Sequence, residues 1–246
     1  MKVVILGATK GMWRSLARRY AARGAAIGLL GRNTEELERS ATDLQGRGTA
    51  ATSTATARCD LSEPEGFGEA LDAIIDALGG VDAVVVTAAL FGTQEELEAD
   101  TGRALALCTA NFANTVAFCE EARKRLMARG GGTLCVFSSV AGDRGRKPVA
   151  IYGASKAGLS HYLESLDHRF RADGLVTICV KPGFVKTGMT AGLQPPPFAG
   201  EPDDVAATVE KAIDRGTPLV YAPGIWRLVM LVIRHLPRAV MRRVGF

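Results

Sequence analysis

Two residues four positions apart, Tyr152 and Lys156 in Tyr152-Gly153-Ala154-Ser155-Lys156, have side chains suited to proton transfer. On a helix that spacing sets a phenol and an amine on one face, one turn apart. An ammonium beside a phenol favours phenolate, which lowers the tyrosine pKa from about 10 toward the working range, as acid–base catalysis needs. The pair recurs by chance in many chains, so its surroundings decide. Upstream, Ser139 follows a strand-length run over 132–138, placing its hydroxyl at a carboxyl edge, where open α/β sheets hold ligands. Asn111 lies inside the long helical pattern that precedes that strand.

A second cluster lies at the start of the chain. The apolar run 3–6 stops at Gly7-Ala8-Thr9-Lys10-Gly11-Met12-Trp13, and a helical pattern follows at once. A glycine-rich turn between strand and helix brings backbone N–H groups close to a pyrophosphate, at the positive end of the helix dipole. The next strand ends at Gly31-Arg32-Asn33. An acid there would bind the ribose 2′-hydroxyl of NAD, whereas Arg32, with Lys10 inside the turn, suits the 2′-phosphate of NADP. NADP(H) is therefore the expected cofactor.

The elements that must position these residues read as strands at 3–6, 26–30, 52–59, 83–87, 132–138, 175–181 and 219–221. Helical periodicity runs through 12–23, 34–46, 65–78, 101–129, 150–172 and 202–214. This alternation predicts an α/β chain with a parallel sheet covered by helices on both faces. Continuous apolar runs such as 83–86 suit strands buried on both sides. A single catalytic domain over 1–224 is expected. Within it, 184–200, with Gly192 and Pro195-Pro196-Pro197, reads as an irregular substrate loop or lid. Residues 225–246 form a basic amphipathic tail.

Taken together, Gly7-x-x-x-Gly11, Asp60, Asn111, Ser138-Ser139, Tyr152-x-x-x-Lys156 and Pro182-Gly183 resemble, in order and spacing, the short-chain dehydrogenase/reductase family. The resemblance spans roughly 1–221. It implies a single Rossmann-type doubly wound domain with a mainly parallel seven-stranded sheet. It also implies that Tyr152 protonates a carbonyl oxygen, Ser139 orients that oxygen, and Lys156 holds the nicotinamide ribose. Asn111 would hold a water linking Lys156 to solvent. Gly7, Thr9, Lys10, Gly11, Met12, Arg32 and Ala88 would line the cofactor, Asp60 and Leu61 would border the adenine, and Pro182, Gly183, Val185 and Thr187 would meet the carboxamide. Ser138 is expected to be structural.

Two positions depart from the family pattern. Trp13 replaces the third glycine of the turn, so the indole must shift the first helix or point at the cofactor entrance. Val86-Thr87-Ala88-Ala89 replaces the usual Asn-Asn-Ala-Gly and removes an asparagine that helps knit the central sheet. These departures motivate an alternative reading, a cofactor-sensing binding protein with little turnover. The retained Ser139, Tyr152, Lys156 and Asn111 favour the enzyme.

Composition narrows the remaining choices. Of 246 residues 47% are hydrophobic and 23% charged, as in a globular domain, and the net charge of +4 is too mild to argue for nucleic acid. Cys59, Cys108, Cys119, Cys135 and Cys179 are scattered without metal spacing, and His161, His168 and His235 form no triad, so no metal site is expected. No secretory signal precedes the first strand, and no stretch approaches the roughly eighteen apolar residues of a membrane span. A cytoplasmic protein is expected, either free or peripheral at the inner membrane face, and a homo-oligomer (dimer or tetramer). After residue 224 the chain carries Arg227, Arg234, Arg238, Arg242 and Arg243 and no acid. A tail of that kind can lie in a membrane interface, pack on its own body or a second subunit, or do both, and Pro237 should break or kink its helix. The tail, with 181–185 and 188–193, resembles the decaprenylphosphoryl-2-keto-ribose reductase-like subgroup, which implies a bulky lipid-linked keto-sugar substrate. Other lipid-like ketones remain open.

Overall fold

A computed structural model describes residues 1–7 and 11–245. Seven strands form one parallel sheet: β1 (Lys2–Leu6), β2 (Ala26–Gly31), β3 (Ser53–Arg58), β4 (Ala83–Val86), β5 (Gly132–Phe137), β6 (Leu175–Pro182) and β7 (Leu219–Ala222). Their order is β3-β2-β1-β4-β5-β6-β7, and every pairing is parallel. The strand order reverses between β1 and β4, and in open sheets the crevice for a ligand lies outside the carboxyl ends at such a point.

The sheet divides the core by the two-residue period of its strands. Val3, Ile5, Ala83, Val85, Cys135 and Phe137 face one layer, with helices α1 (Met12–Ala22), α2 (Thr34–Arg47) and, near the chain's end, Pro202–Arg215. Val4, Leu6, Val84, Val86, Leu134 and Val136 face the other, with α3 (Phe67–Leu78) and two later helices, Thr115–Ala128 and Ala150–Phe170. Strands apolar on both faces therefore read as continuous runs rather than alternating ones. Asn33 caps α2 by accepting from the Glu36 backbone N–H, and Glu35 and Glu36 sit in its positive first turn.

The pattern expected as one helix over 101–129 is three pieces. After α4 (Gln94–Ala99), which periodicity did not suggest, come α5 (Thr101–Cys108), a widened turn over Thr109–Asn114, and α6 (Thr115–Ala128). The widened turn carries Asn111, a placement often found at functional sites. Beyond it lie α7 (Ala150–Phe170) and α8 (Pro202–Arg215). The loop expected over 184–200 is irregular, with one short turn at Gly188–Thr190 and a bridge from Val185 to Gly200.

The tail forms α9 (Trp226–His235), stops before Pro237 as expected, and resumes as the single turn α10 (Arg238–Met241). Trp226, Met230 and Ile233 pack on Val140 and Tyr221, so one face of the tail joins the body in a satellite core. Its other face leaves Leu228, Leu231 and Val232 more than half exposed. Among the described residues no helix is long and apolar enough to cross a membrane, and no three His, Cys, Asp or Glu side chains group as a metal site.

Candidate active site

The carboxyl ends of β1, β4, β5 and β6 bring Gly7, Thr87, Ser138 and Pro182 to one edge. Gly7 has φ of +95°, and a β-carbon there would stand 2.5 Å from the Ala88 backbone nitrogen, so the chain can turn this tightly against β4 only as glycine. The Thr87 hydroxyl donates to the Leu6 carbonyl at 3.1 Å. The central sheet is thus knitted by threonine where the family pattern uses asparagine.

A groove of about 790 Å³ runs along this edge. Of the residues expected at the cofactor, Gly7, Gly11, Met12, Arg32, Asp60, Leu61, Ala88 and Thr187 line it. Thr9 and Lys10 lie outside the described residues. Gly11 has only Thr187 near the place of a β-carbon, at 3.9 Å, so the turn leaves room for a ligand. At one end, Asp60 accepts from the backbone and hydroxyl of Ser62, fixing the loop beneath, while Arg32 is exposed and has no carboxylate partner among the described residues. A groove bordered by a glycine turn at the carboxyl edge of the sheet fits a nicotinamide dinucleotide.

Two residues expected at the carboxamide are packed on their side-chain side, which leaves their backbone for such a contact. Val185 turns its side chain into the core, 4% exposed, because its backbone is bridged to Gly200. Gly183 is covered by Trp226, whose Nε1 would lie 2.0 Å from a β-carbon there and which donates to the Phe198 carbonyl. Trp13 does not simply point at the cofactor entrance. Its indole is buried with Leu16, Tyr20 and Leu37, borders the groove, and leaves Nε1 without a partner.

Tyr152 lies in the first turn of α7, half-buried, with its ring edge-on to Phe91 at 5.4 Å. The turn after β5, Val140–Gly142, packs directly on α7: a β-carbon on Gly142 would stand 2.7 Å from Lys156 backbone, and one on Gly153 2.8 Å from the Ala141 carbonyl. That packing brings Ser139 to Tyr152. Ser139 Oγ also accepts from the Ala141 backbone N–H, which orients it. The Ser138 hydroxyl is committed to the Lys156 carbonyl and to Ser160, a structural role.

Lys156 is buried, with Nζ donating to the Phe137 carbonyl at 3.0 Å and lying 5.9 Å from the Tyr152 ring centre. Burial pushes the Lys156 ammonium down to about 8. Burial also pushes the Tyr152 phenol up to about 12, with the neighbouring Ser139 hydroxyl pulling the other way. The Tyr152 shift is thus upward, set first by desolvation, and the Lys156 Nζ hydrogen bond goes to the Phe137 carbonyl. A phenol held protonated suits donation to a carbonyl.

Asn111 is fully buried, its Oδ1 accepting from the Leu90 N–H and its Nδ2 donating to the Leu90 carbonyl. Its amide thus anchors the segment that carries Ala88 and Phe91. Sequence reasoning missed Phe91 and Trp226, since both act through contacts distant in the chain.

Comparison with known proteins identifies this arrangement. A family model described as short chain dehydrogenase matches residues 1–197. The chain belongs to the short-chain dehydrogenase/reductase family. A protein of Mycobacterium tuberculosis described as an uncharacterized oxidoreductase is 32% identical over 98% of this chain and 96% of its own. Two solved structures share the fold. A short-chain type dehydrogenase/reductase from Mycobacterium ulcerans has a TM-score of 0.81 at 20% identity, covering 89% of this chain and 86% of that one. A single-substitution variant of actinorhodin polyketide ketoreductase, solved with NADPH, has a TM-score of 0.78 at 22% identity, covering 89% and 95%. This short-chain dehydrogenase/reductase is an oxidoreductase of the NAD(P)-using kind, built for a carbonyl or carbinol carbon.

Proposed function

We propose that the chain is an NADPH-dependent reductase converting a bulky, lipid-linked or keto-sugar ketone to a secondary alcohol, reversibly. The observation that carries this reading is the packing of the turn after Ser139 onto α7 at Tyr152, whose ring meets Phe91 on the wall of the groove. NADP(H), when bound, supplies the hydride. Gly7, Gly11, Met12, Arg32, Asp60, Leu61, Ala88 and Thr187 hold it, with Thr9 and Lys10 completing the phosphate end. Ser139 donates a hydrogen bond to the carbonyl oxygen and fixes its direction. Tyr152 gives the phenolic proton to that oxygen as negative charge develops, and Lys156 holds positive charge near the phenolate left behind. Asn111 holds the Leu90 segment, and so Phe91, against the tyrosine ring. The solved ketoreductase with NADPH is similar to it in fold alone; the cofactor preference rests on Arg32 and Lys10.

The catalytic body is residues 1–224, with 184–200 as the substrate lid. The tail 225–246 lies over the substrate side and meets a membrane surface with the exposed face of α9, where Leu228, Leu231 and Val232 stand beside arginines. Exposed Leu105 and Phe112 on the α5 side offer apolar surface to a second copy in a cytoplasmic homo-oligomer, a dimer or tetramer.

The test is Tyr152→Phe. With a panel of hydrophobic ketones, turnover should fall by roughly 10³-fold while NADPH affinity stays within about twofold. Activity surviving in the variant would remove Tyr152 from the chemistry.

A further inference from the structure

Between Ser139 and Tyr152 the chain carries Asp143, Arg144, Arg146 and Lys147. Asp143 is almost wholly buried, and both its oxygens are occupied: one accepts from Lys181 Nζ, the other from the Tyr221 hydroxyl. Arg144 donates to the Leu236 carbonyl and so ties this segment to the end of α9. These contacts fasten the segment to β6, β7 and α9, where Val140 also packs with Trp226.

Positive charge is left over there. Among the described residues, none of Arg144, Arg146 and Arg234 has a carboxylate partner. Arg234 lies beside the Tyr221 hydroxyl. Arg146 is the sharpest case, since its Nε is buried and has no hydrogen-bond partner. A guanidinium with a desolvated, unanswered donor is costly, and proteins keep such groups where a partner arrives. Asp143, whose charge reaches Arg146, already accepts from Lys181 and Tyr221. A planar, forked cation matches an oxyanion bidentately.

Resting on the ketone-reductase reading, we infer that Arg146, with Arg144 and Arg234, forms a site for an oxyanion carried by the substrate, a phosphate ester or a carboxylate. The anion would dock on the segment linking Ser139 to Tyr152. It would register the ketone against both hydroxyls and complete the environment of Arg146. Burial lowers the Arg146 pKa, with the Asp143 carboxylate pulling the other way.

Calorimetric titration with methyl phosphate and with acetate, at constant ionic strength and with NADPH saturating so that the cofactor's phosphate positions are filled, tests this. Wild-type protein should take up at least one of these anions saturably. Tighter methyl phosphate binding assigns a phosphate ester, and tighter acetate binding a carboxylate. Arg146→Met should weaken that binding at least about tenfold and melt no lower than wild type, because it removes an unanswered buried charge. Arg146→Lys should bind weakly but measurably, and it carries the test if the methionine variant does not fold. No saturable binding of either anion, unchanged affinity in the variants, or a lower melting temperature for Arg146→Met would overturn the inference. NADPH titration of the same samples separates the two layers. Intact NADPH binding without anion binding removes only this site, whereas loss of NADPH binding removes the reductase reading.

Discussion

Burial pushes the two ionisations at the site together from opposite sides, Lys156 down to about 8 and Tyr152 up to about 12. The sign for catalysis follows from which forms the reduction needs. Tyr152 is protonated throughout the physiological range, whereas Lys156 loses its charge as pH rises through about 8. The rate of ketone reduction should hold steady below about pH 8 and decline above it, and Lys156→Met should remove that inflection while lowering the rate overall. A wild-type profile that stays flat well above that point would show that Lys156 charge plays no part. At this scale the sequence was informative where chemistry is local. Tyr152 and Lys156 share one helix, and Ser139 terminates a strand next to it. The sign of the Tyr152 shift was not legible, because desolvation depends on the whole surrounding packing. Nor were Phe91, Trp226 or the unpartnered Arg146, whose roles arise from contacts or burial that the chain order does not display.

Elements were read well where an apolar run spans the sheet, as in β4, whose four residues are all buried. The helix α4 escaped periodicity because it has only six residues. Its capping box, Thr93 with Glu96, was the signal that could have found it. The break in the 101–129 pattern was hidden because a widened turn preserves the apolar face it interrupts. Two cross-element ties carry predictions. Thr87→Val keeps shape but removes the hydroxyl bond from β4 to β1, and should cost about 1 kcal/mol in chemical denaturation. Asp143→Asn leaves Lys181 without its buried counter-charge, side chains 2% and 11% exposed, and should cost about 3 kcal/mol. A loss equal to that of an exposed pair would mean that Asp143 does not fasten the Ser139 segment to β6 and β7.

Over the whole molecule, the doubly wound sheet places an exposed arginine on the groove and packs one face of a basic helix against the turn after Ser139 and β7. Both were legible as compositions, Arg32 from its place after the second strand and the tail from its arginines. What composition did not reveal is that the tail divides its faces, packing Trp226, Met230 and Ile233 inward and leaving Leu228, Leu231 and Val232 outward. Removing 225–246 should therefore both expose the substrate side and abolish sedimentation with anionic liposomes. Unchanged partitioning would confine the tail to packing. Arg32→Ala should narrow the preference for NADPH over NADH by at least about tenfold, the worth of a charge-assisted contact. The central claim, a reductase that uses NADPH, is tested most directly by fluorescence titration of the purified protein with NADPH and NADH. Saturable binding of NADPH, tighter than that of NADH, is the predicted result; binding of neither would contradict the enzyme reading outright.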